Sequence, residues 1–168
     1  MEVIISHERH FIFIKTYKTA GASIEAYLSA HCGPGDVLTP AEPPVAGHVA
    51  RNQGEFYNHI PAHKVRAAVG EEIGREYTTL CVERNPRDKF ISYYFKLRNP
   101  PRRGRHTTLI MDDYLEAGPF PLNAPLYTDA AGEKIIVDRV MQYKNLAAEM
   151  RSVFRIGRSV QRGSWLSR

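Results

Sequence analysis

The sequence predicts a single α/β domain built on a parallel sheet flanked by helices. Three observations carry that expectation. The run Phe11-Ile12-Phe13-Ile14 is continuous rather than alternating, as a strand covered on both faces must be. A second stretch, Tyr77-Thr78-Thr79-Leu80-Cys81-Val82, has the β-branched and aromatic content of another buried strand, and like the first it runs into a polar turn and then a helical pattern. Finally, 168 residues with 43% hydrophobic content suffice for one core, and neither a repeat nor a long linker divides them.

In chain order, Phe11 to Ile14 gives way to Lys15-Thr16-Tyr17-Lys18-Thr19-Ala20-Gly21-Ala22-Ser23, then to a helix whose stripe is Ile24, Tyr27 and Leu28. Ala20, Gly21 and Ala22 let a ligand approach the backbone, while the first helical N–H groups and the helix dipole favour an anion. Lys18 and Ser23 add a cation and a hydroxyl, so the turn reads as a receptor for phosphate or sulfate. It is not a Walker A loop, because Lys18 precedes the glycine and no Gly-x-x-x-x-Gly-Lys precedes the helix.

Gly33-Pro34-Gly35 stops the first helix near Cys32, and the proline-rich stretch to Tyr57 is expected to be a long loop on the substrate side. From Pro61 a helix should run through Val65, Ala68 and Val69 to Gly70. The second strand leads into Glu83-Arg84-Asn85-Pro86-Arg87-Asp88 and a helix with Phe90, Ile91, Tyr94 and Phe95 inward, leaving Ser92 and Lys96 off the stripe. Between Arg84 and His106 eight Lys or Arg face one acid, Asp88, which makes this the basic pole. The Arg98 to Arg105 stretch is either a binding surface for an anionic acceptor or a solvated basic face. A helix through Met111, Tyr114 and Leu115, a coil marked by Pro119, Pro121 and Pro125, a third strand at Ile135-Ile136-Val137 and a last helix from Asn145 to before Gly157 complete a domain over residues 1–157. Residues 158–168 read as a mobile basic tail.

Cys32 and Cys81 have no metal or redox spacing and are expected as free thiols. No stretch approaches the roughly 20 apolar residues that span a bilayer, and the start lacks a signal-peptide pattern, so the expectation is a cytosolic protein with no membrane partner. The net charge of +5 favours anionic ligands in general.

Two motifs carry a family resemblance. Lys18-Thr19-Ala20-Gly21-Ala22-Ser23-Ile24 resembles the Lys-Thr-Ala-Gly-Thr-Ser-Ile 5′-phosphosulfate loop of sulfotransferases that use 3′-phosphoadenosine 5′-phosphosulfate (PAPS), with Ala22 in place of the usual Thr. Val82 to Tyr94 resembles their 3′-phosphate motif, in which an Arg at a strand end and a Ser eight positions on hold one phosphate; Arg84 and Ser92 have that spacing. The likeness extends to Asn58-His59-Ile60-Pro61-Ala62, Leu122-Asn123-Ala124-Pro125-Leu126-Tyr127 and Asp138 to Leu146, where Lys144 replaces the usual Glu, and covers roughly residues 9 to 157. It looks like the branch of Golgi carbohydrate sulfotransferases and their soluble bacterial relatives, which commonly continue past the counterpart of Gly157.

The resemblance implies a P-loop-NTPase-like α/β fold, PAPS as donor with PAP (3′-phosphoadenosine 5′-phosphate) as product, and no metal. A carbohydrate or small metabolite, anionic acceptors included, would present a hydroxyl or amine, and no nucleic acid is expected as partner. Lys18 and the backbone of Thr19, Ala20, Gly21, Ala22 and Ser23 would bind the 5′ side, Lys18 also stabilising charge on the leaving phosphate. Arg84 and Ser92 would bind the 3′-phosphate. His59, matching the His before the central helix of the family, is the expected catalytic base, with His48 and His63 in reserve. Alternatives are an inactive nucleotide- or nucleic-acid-binding protein on the same fold and, less favoured, a P-loop kinase. A metal pair at His59 and His63 is rejected, because Pro61 interrupts the helix between them.

Overall fold

A computed structural model describes residues 3–41, 44–99 and 109–153. The elements are β1 (Val3–Ser6), β2 (Phe11–Ile14), α1 (Gly21–Ser29), β3 (Val37–Leu38), α2 (Ala62–Glu76), β4 (Thr78–Glu83), α3 (Pro86–Arg98), α4 (Met111–Ala117), α5 (Ala124–Tyr127) and β5 (Arg139–Gln142). A 3₁₀ turn at Tyr143–Asn145 then leads into α6, helical over 146–153.

The described strands form one α/β sheet in the order β3-β1-β2-β4-β5. It is mixed, which corrects the all-parallel expectation. β2, β4 and β5 are parallel neighbours, but β1 runs antiparallel to both β2 and β3. The cause is connection length: only residues 7–10 join β1 to β2, and so short a link makes a hairpin, whereas parallel neighbours need a crossover of a dozen residues or more. His10, at φ 52°, closes that turn. Val37 and Leu38, expected in a loop, instead extend the sheet as an edge strand on β1.

Both faces of the sheet are covered, as the continuous apolar runs require. Val3, Ile5, Ile12, Ile14 and Cys81 point to the layer of Val65 on α2 and Leu126 on α5. The alternate residues Ile4, Phe11, Phe13, Leu80 and Val82 point to Ile24 and Leu28 on α1 and Met150 and Val153 on α6. Tyr27 is left out of the buried face of α1 and stands exposed. In α2 the expected stop at Gly70 appears as a break, φ 82° and ψ 171°, after which a second helical stretch carries on to Glu76.

Two local expectations fail for packing reasons. Ile135-Ile136-Val137 makes only an isolated bridge to Thr128, because the chain reaches β4 later: the Asp138 carboxylate accepts from Thr79 N–H at 2.7 Å, its own N–H donates back to Thr79 O at 2.9 Å, and pairing begins at Arg139. Ile91 and Phe95 remain about half exposed, because α3 packs outside the sheet through Phe90 and Tyr94 against Tyr114 of α4, with ring centroids 4.5 and 5.6 Å apart. Asn85 caps α3 by accepting from Arg87 N–H at 3.0 Å. No helix among the described residues is long and apolar enough to cross a membrane. Residues 100–105 of the Arg98 to Arg105 stretch and the 158–168 tail lie outside the described residues.

Candidate anion-binding site

The turn after β2 and the turn after β4 open at the same edge of the sheet, because those strands are parallel neighbours in register from Phe11 opposite Thr78. That edge is where open α/β sheets take ligands.

The first turn is fixed from beneath. Thr16 and Thr19 are buried, so their hydroxyls face inward: that of Thr16 donates to Val82 O of β4, and that of Thr19 lies 2.9 Å from the Thr16 hydroxyl and 3.1 Å from the Thr16 carbonyl. Asn123, buried in the proline-marked coil, clamps the Tyr17 peptide on both sides. Its Oδ1 accepts from Tyr17 N–H at 2.8 Å, and its Nδ2 donates to Tyr17 O at 3.2 Å and to the Glu83 carboxylate at 3.1 Å. With those bonds in place the chain adopts left-handed conformations at Lys18 and Ala20, each at φ 60°, before α1 begins at Gly21. Such alternation turns successive N–H groups toward one concavity. Those of Gly21 and Ala22 open α1 with no acceptor among the described residues, whereas Ser23 and Ile24 donate to Ala20 O.

Gly21 has a different reason for being glycine than the expected approach of a ligand. A Cβ there would run into the side chain of Lys15. Lys15 is itself buried and pairs with the buried carboxylate of Glu25 on α1.

At the second turn Glu83 organises the strand end. Its Oε1 accepts from Arg84 N–H at 2.8 Å and from the Lys89 ammonium at 2.9 Å, which takes Lys89 out of the free basic pole. Arg84 reaches across to the first turn, its Nη1 lying 3.5 Å from Lys18 O, and its guanidinium sits 4.5 Å from the centroid of the Tyr143 ring. The Arg84 Nε is buried with no hydrogen-bond partner among the described residues. Ser92 is half-buried on α3, and among the described residues no hydrogen bond joins it to Arg84. Lys18 feels this crowd: burial, then Lys96 and Arg84, lower its pKa.

His59 stands beside the loop in a left-handed conformation, φ 52°. Its ring stacks on Tyr17 at 3.9 Å, and its Nδ1–H donates to Lys15 O at 3.1 Å, which leaves Nε2 as the lone-pair nitrogen. Burial pushes its pKa down to about 4. The reserve histidines are placed elsewhere. His48 ties Ser29, at the far end of α1, to Thr39 O through contacts of 2.5 and 2.9 Å, and His63 lies in the first turn of α2. Cys32 and Cys81 are free thiols, each pushed up to about 12 chiefly by burial.

Beside the loop runs a groove of about 630 Å³, lined on one wall by Ala20, Ser23 and Tyr27 and on the other by Tyr143, Lys144 and Met150. Its size is that of a small-molecule site.

Sequence reasoning did not single out Lys15, Glu25, Glu83 or Asn123 as site residues. A signal existed for Glu25: an acid between Ile24 and Leu28 on a buried stripe demands a buried cation. Nothing local points to Asn123, whose partners are distant in the chain. No family model, curated protein or solved structure matches the chain.

Proposed function

We propose that the chain is a sulfotransferase that moves a sulfuryl group from PAPS to a hydroxyl or amine of a carbohydrate or small metabolite. One observation carries the reading above the others. The two motifs of the sequence converge: Arg84 reaches the backbone of Lys18 at the mouths of neighbouring parallel strands. The donors there fit a bis-anionic nucleotide, because the Gly21 and Ala22 N–H groups and the buried Arg84 Nε have no acceptor among the described residues. The adjoining groove, with Tyr27 and Tyr143 on opposite walls, offers an apolar place for a nucleobase.

PAPS, when bound, supplies the activated sulfuryl group: the acceptor oxygen bonds to sulfur as the sulfur–oxygen bond to the 5′-phosphate breaks, and PAP departs with the electron pair. The loop N–H groups and the Lys18 ammonium stabilise the charge that gathers on the departing phosphate, and partial desolvation of Lys18 strengthens that attraction. His59 Nε2 takes the acceptor's proton, with Nδ1–H anchored on Lys15 O. A base with a pKa near 4 accepts that proton only late, once bonding to sulfur has acidified the hydroxyl.

The same low basicity favours one competing reading, a nucleotide-binding protein without turnover. Calorimetry with PAP and with ATP plus magnesium, on wild type and Arg84→Ala, tests the shared premise. PAP is expected to bind more tightly than ATP, and Arg84→Ala to weaken it about a hundredfold, the effect of losing charge-assisted hydrogen bonds. Equal affinity for ATP, or an indifferent variant, would sink the reading. Release of PAP from PAPS with hydroxylated acceptors, lost in His59→Ala, separates the enzyme from the passive binder.

A further inference from the structure

Lys15 and Glu25 form an ion pair directly under the loop, at 8% and 0% exposure. A buried pair is a costly way to hold a fold, since apolar residues of like volume often do as well or better. Nor is the pair needed to hold the loop, which Thr16, Thr19 and Asn123 already fix from beneath. Its placement speaks for an electrostatic task. The Lys15 ammonium end packs against Gly21, the residue whose N–H opens α1 without an acceptor among the described residues. The backbone of Glu25 sits one turn along α1, about 6 Å beyond Gly21 at the usual helical rise, and its carboxylate meets the Lys15 ammonium. The ammonium thus packs on the residue that opens α1 with the carboxylate against it, so both charges act on the loop at short range. Glu25 Oε2 has no hydrogen-bond partner among the described residues, so this oxygen contributes charge rather than a bonded scaffold.

We propose that the Lys15–Glu25 pair sets the anion affinity of the loop, with Lys15 strengthening it from below and Glu25 attenuating it so that an anionic product is released. Lys15 is thus a positioning residue for the bound anion, and its carbonyl also orients His59. The inference rests on the reading of the loop as an anion receptor and not on the identity of the nucleotide.

Inorganic pyrophosphate and PAP, each titrated calorimetrically against wild type, Lys15→Met, Glu25→Gln and the combination of both, provide the test. Glu25→Gln is expected to bind pyrophosphate about threefold more tightly and Lys15→Met, which removes the charge packed on Gly21, at least about tenfold more weakly, on the order of one charge about 10 Å away at an effective dielectric near 20. The combination should fall between them. A purely structural pair predicts loss in every variant, so a folded Glu25→Gln that binds no better than wild type overturns the proposal. Should melting curves show the single variants unfolded, Lys15→Met with Glu25→Leu keeps an apolar core and carries the test. Several-fold weaker pyrophosphate binding is expected there, and unchanged binding overturns the idea. Wild type that binds pyrophosphate but not PAP would remove the sulfotransferase reading and leave this one. PAP binding indifferent to Glu25→Gln would do the reverse, and binding of neither anion removes both.

Discussion

The mouths of β2 and β4 present hydrogen-bond donors by opposite means. After β2 the donors are main-chain N–H groups, aimed by left-handed residues at Lys18 and Ala20 and held by buried bonds from Thr16, Thr19 and Asn123. After β4 the donor is one side chain, Arg84, resting on Tyr143 with an Nε that has no partner among the described residues. A backbone site tolerates changes in its own side chains but depends on distant support. A side-chain site stands or falls with one residue. Where the sulfotransferase loop that this turn resembles has Thr, the chain has Ala22, and this difference makes the exchange cheap, since Ala22 is exposed and its N–H is retained.

The largest effect that would sharpen this contrast is expected away from the ligand. Asn123→Ala leaves the Tyr17 N–H and C=O without their partner, at a cost of about 3 kcal/mol. For a chain of this size that is a fall of roughly 6–12 °C in melting temperature. A variant that melts within 2 °C of wild type, on the order of 0.5–1 kcal/mol, would show that the loop does not rely on this clamp.

Next comes Arg84→Lys, which keeps the charge and removes the planar fork. PAP affinity is expected to drop about tenfold with little change in stability. Full retention of affinity would mean that Arg84 acts as a point charge only.

A third comparison concerns pH and is read as a slope rather than as a loss of affinity. The pKa of His59 falls from 6.5 to about 4, so over that window the unfolded chain binds more protons at this site than the folded one. Stability contributed by neutral His59 is therefore complete above about 6.5 and is lost as pH falls toward 4. His59→Asn, which suits the positive φ, should show a shallower decline of melting temperature between pH 6.5 and pH 4 than wild type. Parallel curves would mean that His59 titrates normally.

The smallest effect expected is that of Ala22→Thr, which introduces the Thr of the loop that this turn resembles. A change of less than about threefold in PAP affinity fits a site made of backbone, because an exposed hydroxyl adds well under 1 kcal/mol. A gain of tenfold or more would show that the loop reads its ligand through side chains after all.

Much of the frame was written locally. Phe11–Ile14 and Thr78–Glu83 are strands because short apolar and β-branched runs end in polar turns, and α1, α2 and α3 begin where the turn residues stop. The break at Gly70 and the start of α3 at Pro86 follow from the backbone limits of those residues, which no neighbour needs to impose. What the local pattern could not carry was direction and long-range pairing. β1 has the same apolar character as a parallel strand, and only the four-residue link to β2 reverses it. Ile135 to Val137 has a better strand composition than Arg139–Gln142, yet the bonds between Asp138 and Thr79 decide where pairing starts. The same division holds at the site. Lys18, Arg84 and His59 stand out by residue type and position, whereas the clamp of Asn123 joins residues 106 apart, and the ion pair of Lys15 and Glu25 needs a strand end and a helix face to meet. Local sequence was enough for the strands Phe11–Ile14 and Thr78–Glu83, the starts of α1, α2 and α3 and the donor-bearing turns, because propensity and steric limits act within a few residues. Tertiary structure alone decided which turns share an edge and what supports them, because hydrogen bonds and charges act through space between residues that the chain keeps far apart.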